Sequence, residues 1–207
     1  MQRPLKLVIL AGITLVLFYF IQDSFFNEEN YTKPLLAERE NKDLSFRSQS
    51  NSPFTEEGRR AFRNLNYYEP KPEYQVKAAI SYFEKQDTLH MPMTNGTTEA
   101  YLTIGTAAFE LDGQPQKLTV YKKVKSEEVE KYFVPFTDKT NGFETYGGGR
   151  YLDVPIKENA KTLFLDFNRA YNPFCAYNPD FVCPVPPKES RLTVAVPAGE
   201  KNYETAK

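Results

Sequence analysis

Apolar and polar positions alternate with a period of two along most of the chain beyond residue 74. Tyr74, Val76, Ala78, Ile80 and Tyr82 form the first such run. A strand with one buried face demands that spacing, because successive side chains leave a pleated strand on opposite sides. LHMPMT, TTEAYLTIG, TAAFEL, QPQKLTVYKK, YFVPF, RYLDVPI, TLFLDF and RLTVAV continue in the same style. Asn95-Gly96 and Asp112-Gly113 fall between neighbouring runs, where a type I′ hairpin needs positive φ. The hairpin tip also accounts for the glycosylation sequon Asn95-Gly96-Thr97. Roughly eight short strands separated by turn signals predict a mainly β fold, a single antiparallel β-sandwich or small barrel domain.

Upstream the period lengthens. Leu35, Leu36, Arg39, Leu44 and Phe46 predict a helix from about Lys33 to Arg47. Ser52-Pro53 reads as an N-cap and first-turn proline opening a short helix through TEEGRRAF that ends near Leu65. Between Leu7 and Ile21 only Tyr19 is ionisable, and Leu5, Phe25 and Phe26 extend the apolar run past Lys6 and Asp23. A run of about 15 apolar residues fits either a signal-peptide core or a short membrane helix with a snorkelling lysine. QDSFFNEEN offers no small-x-small cleavage site, which favours an uncleaved anchor from Leu5 to Phe26, one transmembrane helix ahead of the two short ones. Arg3 and Lys6 precede it and Asp23, Glu28 and Glu29 follow, so the positive-inside rule puts the N-terminus in the cytoplasm and the domain in the periplasm or an equivalent extracytoplasmic space. The expected organisation is an anchor over 1–26, a helical linker over 27–66 and a β domain over 67–203.

Composition narrows the partners. A net charge of -1 provides no field to hold nucleic acid, while 16 Phe and 14 Tyr reinforce the β reading. The unusual polar chemistry gathers between Phe136 and Pro187. In TLFLDFN, Leu163, Leu165 and Phe167 share one face and Phe164, Asp166 and Asn168 the other; in GGGRYLDV, Arg150, Leu152 and Val154 oppose Tyr151 and Asp153. Pairing of the two strands would bring Asp166 to Arg150 or Arg169, and a guanidinium fork matches a carboxylate. Such a pair is either a lock for loops or a clamp with donors left for a ligand. Candidate ligand-binding residues are Arg150, Asp166, Asn168, Arg169, Tyr171, Asn172 and Tyr146, and candidate acid/base carboxylates are Asp166 and Asp153, with Asp138 and Glu144 behind them.

Gly147-Gly148-Gly149 permits close backbone approach but precedes no phosphate-binding lysine. Cys175 and Cys183 are the only cysteines, and His90, the only histidine, is distant in sequence. Neither a four-ligand zinc site nor a Cys–His dyad assembles from that set, and no metal or cofactor is expected. In an oxidising compartment the short Cys175–Cys183 loop would close as a disulfide.

FTDKTNGFETYGGGRYL, DFNRAYNPFCAY and CPVPPKESRL resemble the bacterial and archaeal family catalogued as domain of unknown function 1684, over about Glu38 to Lys201. The resemblance implies a short form lacking the N-terminal β region of longer relatives. It marks Asp138, Thr140, Gly142, Thr145, Tyr146, Gly149, Arg150, Asp166, Asn168, Ala170, Tyr171, Asn172, Pro173, Cys175 and Cys183 as signature positions without roles. The residues themselves point to an anchored domain that binds a small polar or anionic ligand at Arg150, Asp166, Asn168 and Arg169. The rivals are a hydrolase with Asp166 as base and an arginine as oxyanion partner, and a purely architectural cluster with function in a protein partner.

Overall fold

The computed structural model describes residues 29–48, 52–124, 131–156 and 159–203. The expected anchor from Leu5 to Phe26 lies outside them; among the described residues no helix is long and apolar enough to cross a membrane. The chain divides into two compact units, residues 1–39 and 40–207. In the first, the described residues are helical, the opening part of α1 (29–48). Helix α1 brackets the span expected from about Lys33 to Arg47.

The second unit carries the sheet: β1 (Gln75–Tyr82), β2 (Thr88–Pro92), β3 (Thr98–Leu111), β4 (Gln114–Lys123), β5 (Lys131–Phe136), β6 (Arg150–Pro155) and β7 (Thr162–Asp166). All pairings are antiparallel, in the order β6-β5-β4-β3-β1-β7, with β2 beside the first half of β3. The six-stranded path curls into a near-closed barrel. Long β3 serves both β2 and β1 on one edge, and its register with β4 shifts between Thr103 and Gly105, where the two neighbours change over.

The alternation fills the barrel as expected. Val76, Ala78 and Ile80, Leu118 and Val120, Tyr132, Val134 and Phe136, Leu152 and Val154, and Leu163, Leu165 and Phe167 all join one core. RLTVAV, expected as an eighth strand, joins no ladder. It crosses as an extended arm whose Leu192, Val194, Val196 and Ala198 still enter that core at period two. Its backbone polar groups are met instead by loops and side chains, such as Leu192 N–H donating to Thr137 O at 2.8 Å.

Two local expectations are corrected. The short helix α2 is Glu56–Ala61 with Thr55, not Ser52, as N-cap: Thr55 Oγ1 accepts from Gly58 N at 3.1 Å. Ser52 is buried and donates to Phe46 O, so it joins the end of α1 to the following loop. Asp112 (φ 53) and Gly113 (φ 66) make the positive-φ pair of a type I′ turn, but at the other hairpin only Gly96 (φ 83) is left-handed. There Gly96 N–H donates to Met93 O and Asn95 Oδ1 accepts from Thr97 N, a type I turn followed by a left-handed residue rather than type I′.

Candidate functional site

The polar signature residues assemble at the barrel end around β6. Arg150 is fully buried. Its Nη2 donates to Asp138 Oδ2 and to Val196 O, both at 2.8 Å, and its Nη1 donates to Ala198 O and to Glu200 O. The guanidinium also lies 5.4 Å from the centre of the Phe136 ring. Asp138 in turn accepts from Thr140 N and Oγ1 and from Val196 N. Gly149 (φ +91) and Gly199 (φ +76) let the chain close around this knot: a Cβ at Gly149 would stand 2.7 Å from Phe136 O, and one at Gly199 2.6 Å from Ala170 O.

Glu200, another buried charge, extends the network. Its Oε1 accepts from Lys42 Nζ and Tyr67 Oη, and its Oε2 from Asn172 N at 2.8 Å and from Tyr177 Oη. Burial, then the Glu200 charge, pushes the Tyr177 phenol well above its ordinary range, so it stays a donor. Lys42 Nζ stands 5.2 Å over the ring of Tyr171.

The expected Asp166 contact to Arg150 does not form, because β6 pairs with β5 and β7 with β1. Asp166 pairs with Arg169 three residues on, and its Oδ1 accepts from Asn168 N and Nδ2. The strand ends at Asp166 and turns into a 3-10 helix over Phe167–Arg169, so the alternation lapses and both Asp166 and Asn168 are buried. Asn168 Oδ1 accepts from Lys71 N at 2.9 Å while its Nδ2 donates to Lys71 O at 2.8 Å, tying the chain ahead of β1 to the end of β7. Asp166, Asn168 and Arg169 line no part of the cavity described next.

That cavity, about 540 Å³, lies against the outer face of the sheet under the loop that follows Ala170. Tyr151 and Tyr171 exchange backbone hydrogen bonds, pinning the loop's start to β6. Its far end is pinned near β2, where Thr94 N–H donates to Cys183 O and Val185 N–H to Pro92 O. Between the two pins the loop stands off the sheet. The cavity wall is a run of aromatic rings: Tyr101 stacks on Phe133 at 5.4 Å, Phe133 meets Tyr151 edge-on at 4.8 Å, and Tyr151 meets Tyr171 edge-on at 5.7 Å. Phe174 and Phe181 face it from the loop.

The floor hydroxyls are all committed: Tyr101 donates to Glu99 Oε2, Tyr151 to Pro184 O, and Tyr171 to Asp153 Oδ1 at 3.1 Å. Burial, foremost, raises all three phenols, with Asp153 raising Tyr171 further and Glu99 raising Tyr101. Among the described residues, three lysines lining the cavity, Lys122, Lys123 and Lys131, face one lining carboxylate, Asp153. Lys131 Nζ lies 3.7 Å from Asp153 Oδ2, and Lys123 pairs with Glu99 at 2.8 Å. Asn172 also lines the cavity; its Nδ2 donates to Lys201 O, while its buried Oδ1 has no hydrogen-bond partner.

Of the expected site residues, then, Tyr171, Asn172 and Asp153 come together at the cavity, while Arg150 lies in the barrel-end knot and Asp166, Asn168 and Arg169 at the end of β7. Tyr146 is placed beside Cys175, its hydroxyl 3.7 Å from the sulfur. Cys175 and Cys183 are free thiols here rather than the expected disulfide. Each sulfur is held by hydrogen bonds instead, Cys183 Sγ accepting from Cys175 N at 3.2 Å. Tyr101, Phe133 and the three lysines were missed by sequence reasoning. For Tyr101 and Phe133 the signal was present as aromatic residues on strand positions outside the barrel core.

The family model described as "Protein of unknown function (DUF1684)" matches residues 60–201, a later start than the sequence resemblance gave. The solution NMR structure of an uncharacterized protein of Haloarcula marismortui is similar at 37% identity with a TM-score of 0.66, covering 84% of this chain and 96% of that one. No match was found among curated proteins.

Proposed function

The chain belongs to the DUF1684 family, and on that premise we propose that its barrel is a binding domain for a small ligand with a flat apolar body and an anionic group, received in the cavity under the Tyr171–Pro184 loop. One observation carries this: four linked aromatic rings wall a cavity rimmed by three lysines against one lining carboxylate. A volume of about 540 Å³ is of the size that takes a small molecule. The ring faces supply apolar contact, because the phenol hydroxyls are spent on protein acceptors. Lys123 and Lys131, paired with Glu99 and Asp153, stand at the rim where a carboxylate, sulfonate or phosphate would compete for them. This reading moves the ligand away from the Arg150, Asp166, Asn168 and Arg169 cluster. It keeps the expected setting, an extracytoplasmic domain on a membrane anchor, as part of the proposal.

The test is a thermal-shift and ligand-observed NMR screen of aromatic carboxylates, aryl phosphates and their neutral amide or ester counterparts. At least one aromatic anion should raise the melting temperature while its neutral counterpart does not, and Lys131→Ala or Tyr171→Ala should remove the shift. Equal stabilisation by the neutral compounds, or anion binding indifferent to both substitutions, would overturn the reading.

A further inference from the structure

Cys175 sits in the 3-10 turn Phe174–Ala176, half-buried, while Cys183 is 6% exposed and forms part of the cavity wall. The turn folds back on the second sulfur, and Cys175 N–H donates to Cys183 Sγ at 3.2 Å. On its other side the Tyr146 hydroxyl approaches Cys175 Sγ at 3.7 Å. The half-buried thiol is thus the more exposed of the two, and a hydroxyl stands beside it. We propose that Cys175 and Cys183 are a redox-active dithiol that exchanges with low-molecular-weight disulfides, Cys175 attacking first and Cys183 resolving.

The exchange balances as follows. Cys175 gives its proton to solvent, and its thiolate attacks one sulfur of a small disulfide RSSR; that S–S bond breaks and the electron pair leaves on RS⁻, which takes up a proton. Cys183 then loses its proton to solvent and its sulfur attacks Cys175 Sγ, expelling the second RS⁻. Two electrons pass from the protein to the small disulfide, leaving a Cys175–Cys183 bond and two RSH. The asymmetry of the pair suits this order. The Cys183 hydrogen bond pulls the Cys175 thiol down to about 6, against the opposing effect of burial, and Tyr146 lowers it further. The neighbouring Cys175 side chain and burial raise Cys183, which holds its proton longer. Cys183, Tyr146 and Tyr151 are the titratable groups around Cys175. Tyr146 is a positioning residue in this scheme, donating to the forming thiolate; burial and the Cys175 contact push its own phenol up to about 12.

Intact-mass analysis of the full chain treated with glutathione disulfide near pH 7 tests the idea. Wild type should end as an internal disulfide without adduct, Cys183→Ala should accumulate one glutathione on Cys175, and Cys175→Ala should react no faster than a free cysteine. Peptide mapping after limited iodoacetamide treatment of unsubstituted protein near pH 6.5 should find Cys175 labelled well ahead of Cys183, a result that needs no variant to fold. Tyr146→Phe should move the midpoint of Cys175 alkylation to higher pH. Preferential labelling of Cys183, an adduct on Cys183 in the Cys175 variant at the rate seen for Cys175, or an unmoved midpoint in Tyr146→Phe would each overturn the assignment.

Discussion

Strand β6 serves two regions of opposite character. Its inward residue Arg150 ends in a closed polar knot where two of three guanidinium nitrogens find carbonyls or a carboxylate. Its outward residues Tyr151 and Asp153 stand on a cavity made of aromatic rings and lysine side chains. The knot spends polar groups on one another and on the arm that ends at Glu200; the cavity leaves ring faces, with lysines at its rim. Unusual polar composition in a sequence thus marks where the backbone must be tied, and need not mark where a ligand goes.

The comparison is sharpest at Arg150. Arg150→Met leaves Asp138 charged and buried and strips donors from the carbonyls of Val196, Ala198 and Glu200. A loss of about 3 to 5 kcal/mol is expected, measured by denaturant unfolding, with Asp138→Asn recovering part of it in the double variant. A loss within experimental error would show that the knot is not structural. Next comes Glu200→Gln, which removes the charge that Lys42, Tyr67, Asn172 and Tyr177 share; it should cost about 1.5 to 3 kcal/mol, the range for a hydrogen bond to a charged group.

Arg169→Ala should be milder. Its side chain is 37% exposed, and Asp166 keeps the Asn168 donors, so about 1 kcal/mol or less is expected, with ligand binding at the cavity unchanged. A collapse in melting temperature would place Asp166 and Arg169 with the knot. The smallest effect is Asp43→Asn. Burial raises the Asp43 carboxyl, with the Leu65 N–H bond working against it. A carboxyl with a raised folded pKa holds its proton more tightly when folded, so its penalty is absent in acid and sets in as pH rises through that value. The variant should match wild type in acid and melt slightly higher at neutral pH; the reverse trend would refute the desolvation account.

The barrel was legible because period-two alternation reports a buried strand face directly, and β5, β6 and β7 obey it. The arm from Leu192 to Ala198 obeys it too and still forms no ladder, since alternation records which side chains are buried and not what the backbone bonds to. Asp166 and Asn168 were assigned to the outer face by the same rule, which failed where the strand turned into a 3-10 helix. Arg150 was rightly placed with Leu152 and Val154, but its partner Asp138 could not be read, because that contact depends on strand order rather than spacing. The cavity stayed hidden for a related reason: Tyr101, Phe133, Tyr151 and Tyr171 lie on separate segments and become neighbours only through pairing.

The arm from Leu192 to Glu200 also sets an order of events during synthesis. Every strand of the barrel leaves the ribosome before it, so Arg150 and Asp138 have each other but not Val196, Ala198 and Glu200 until the arm emerges. Contacts spanning some 50 residues close late, because the loop entropy between their ends must be met first. Until then the nascent barrel carries an open apolar end with charge at its rim, the condition in which unfinished chains associate. A chain stopped before Leu192 would hold the same seven strands and be a poor substitute for the domain.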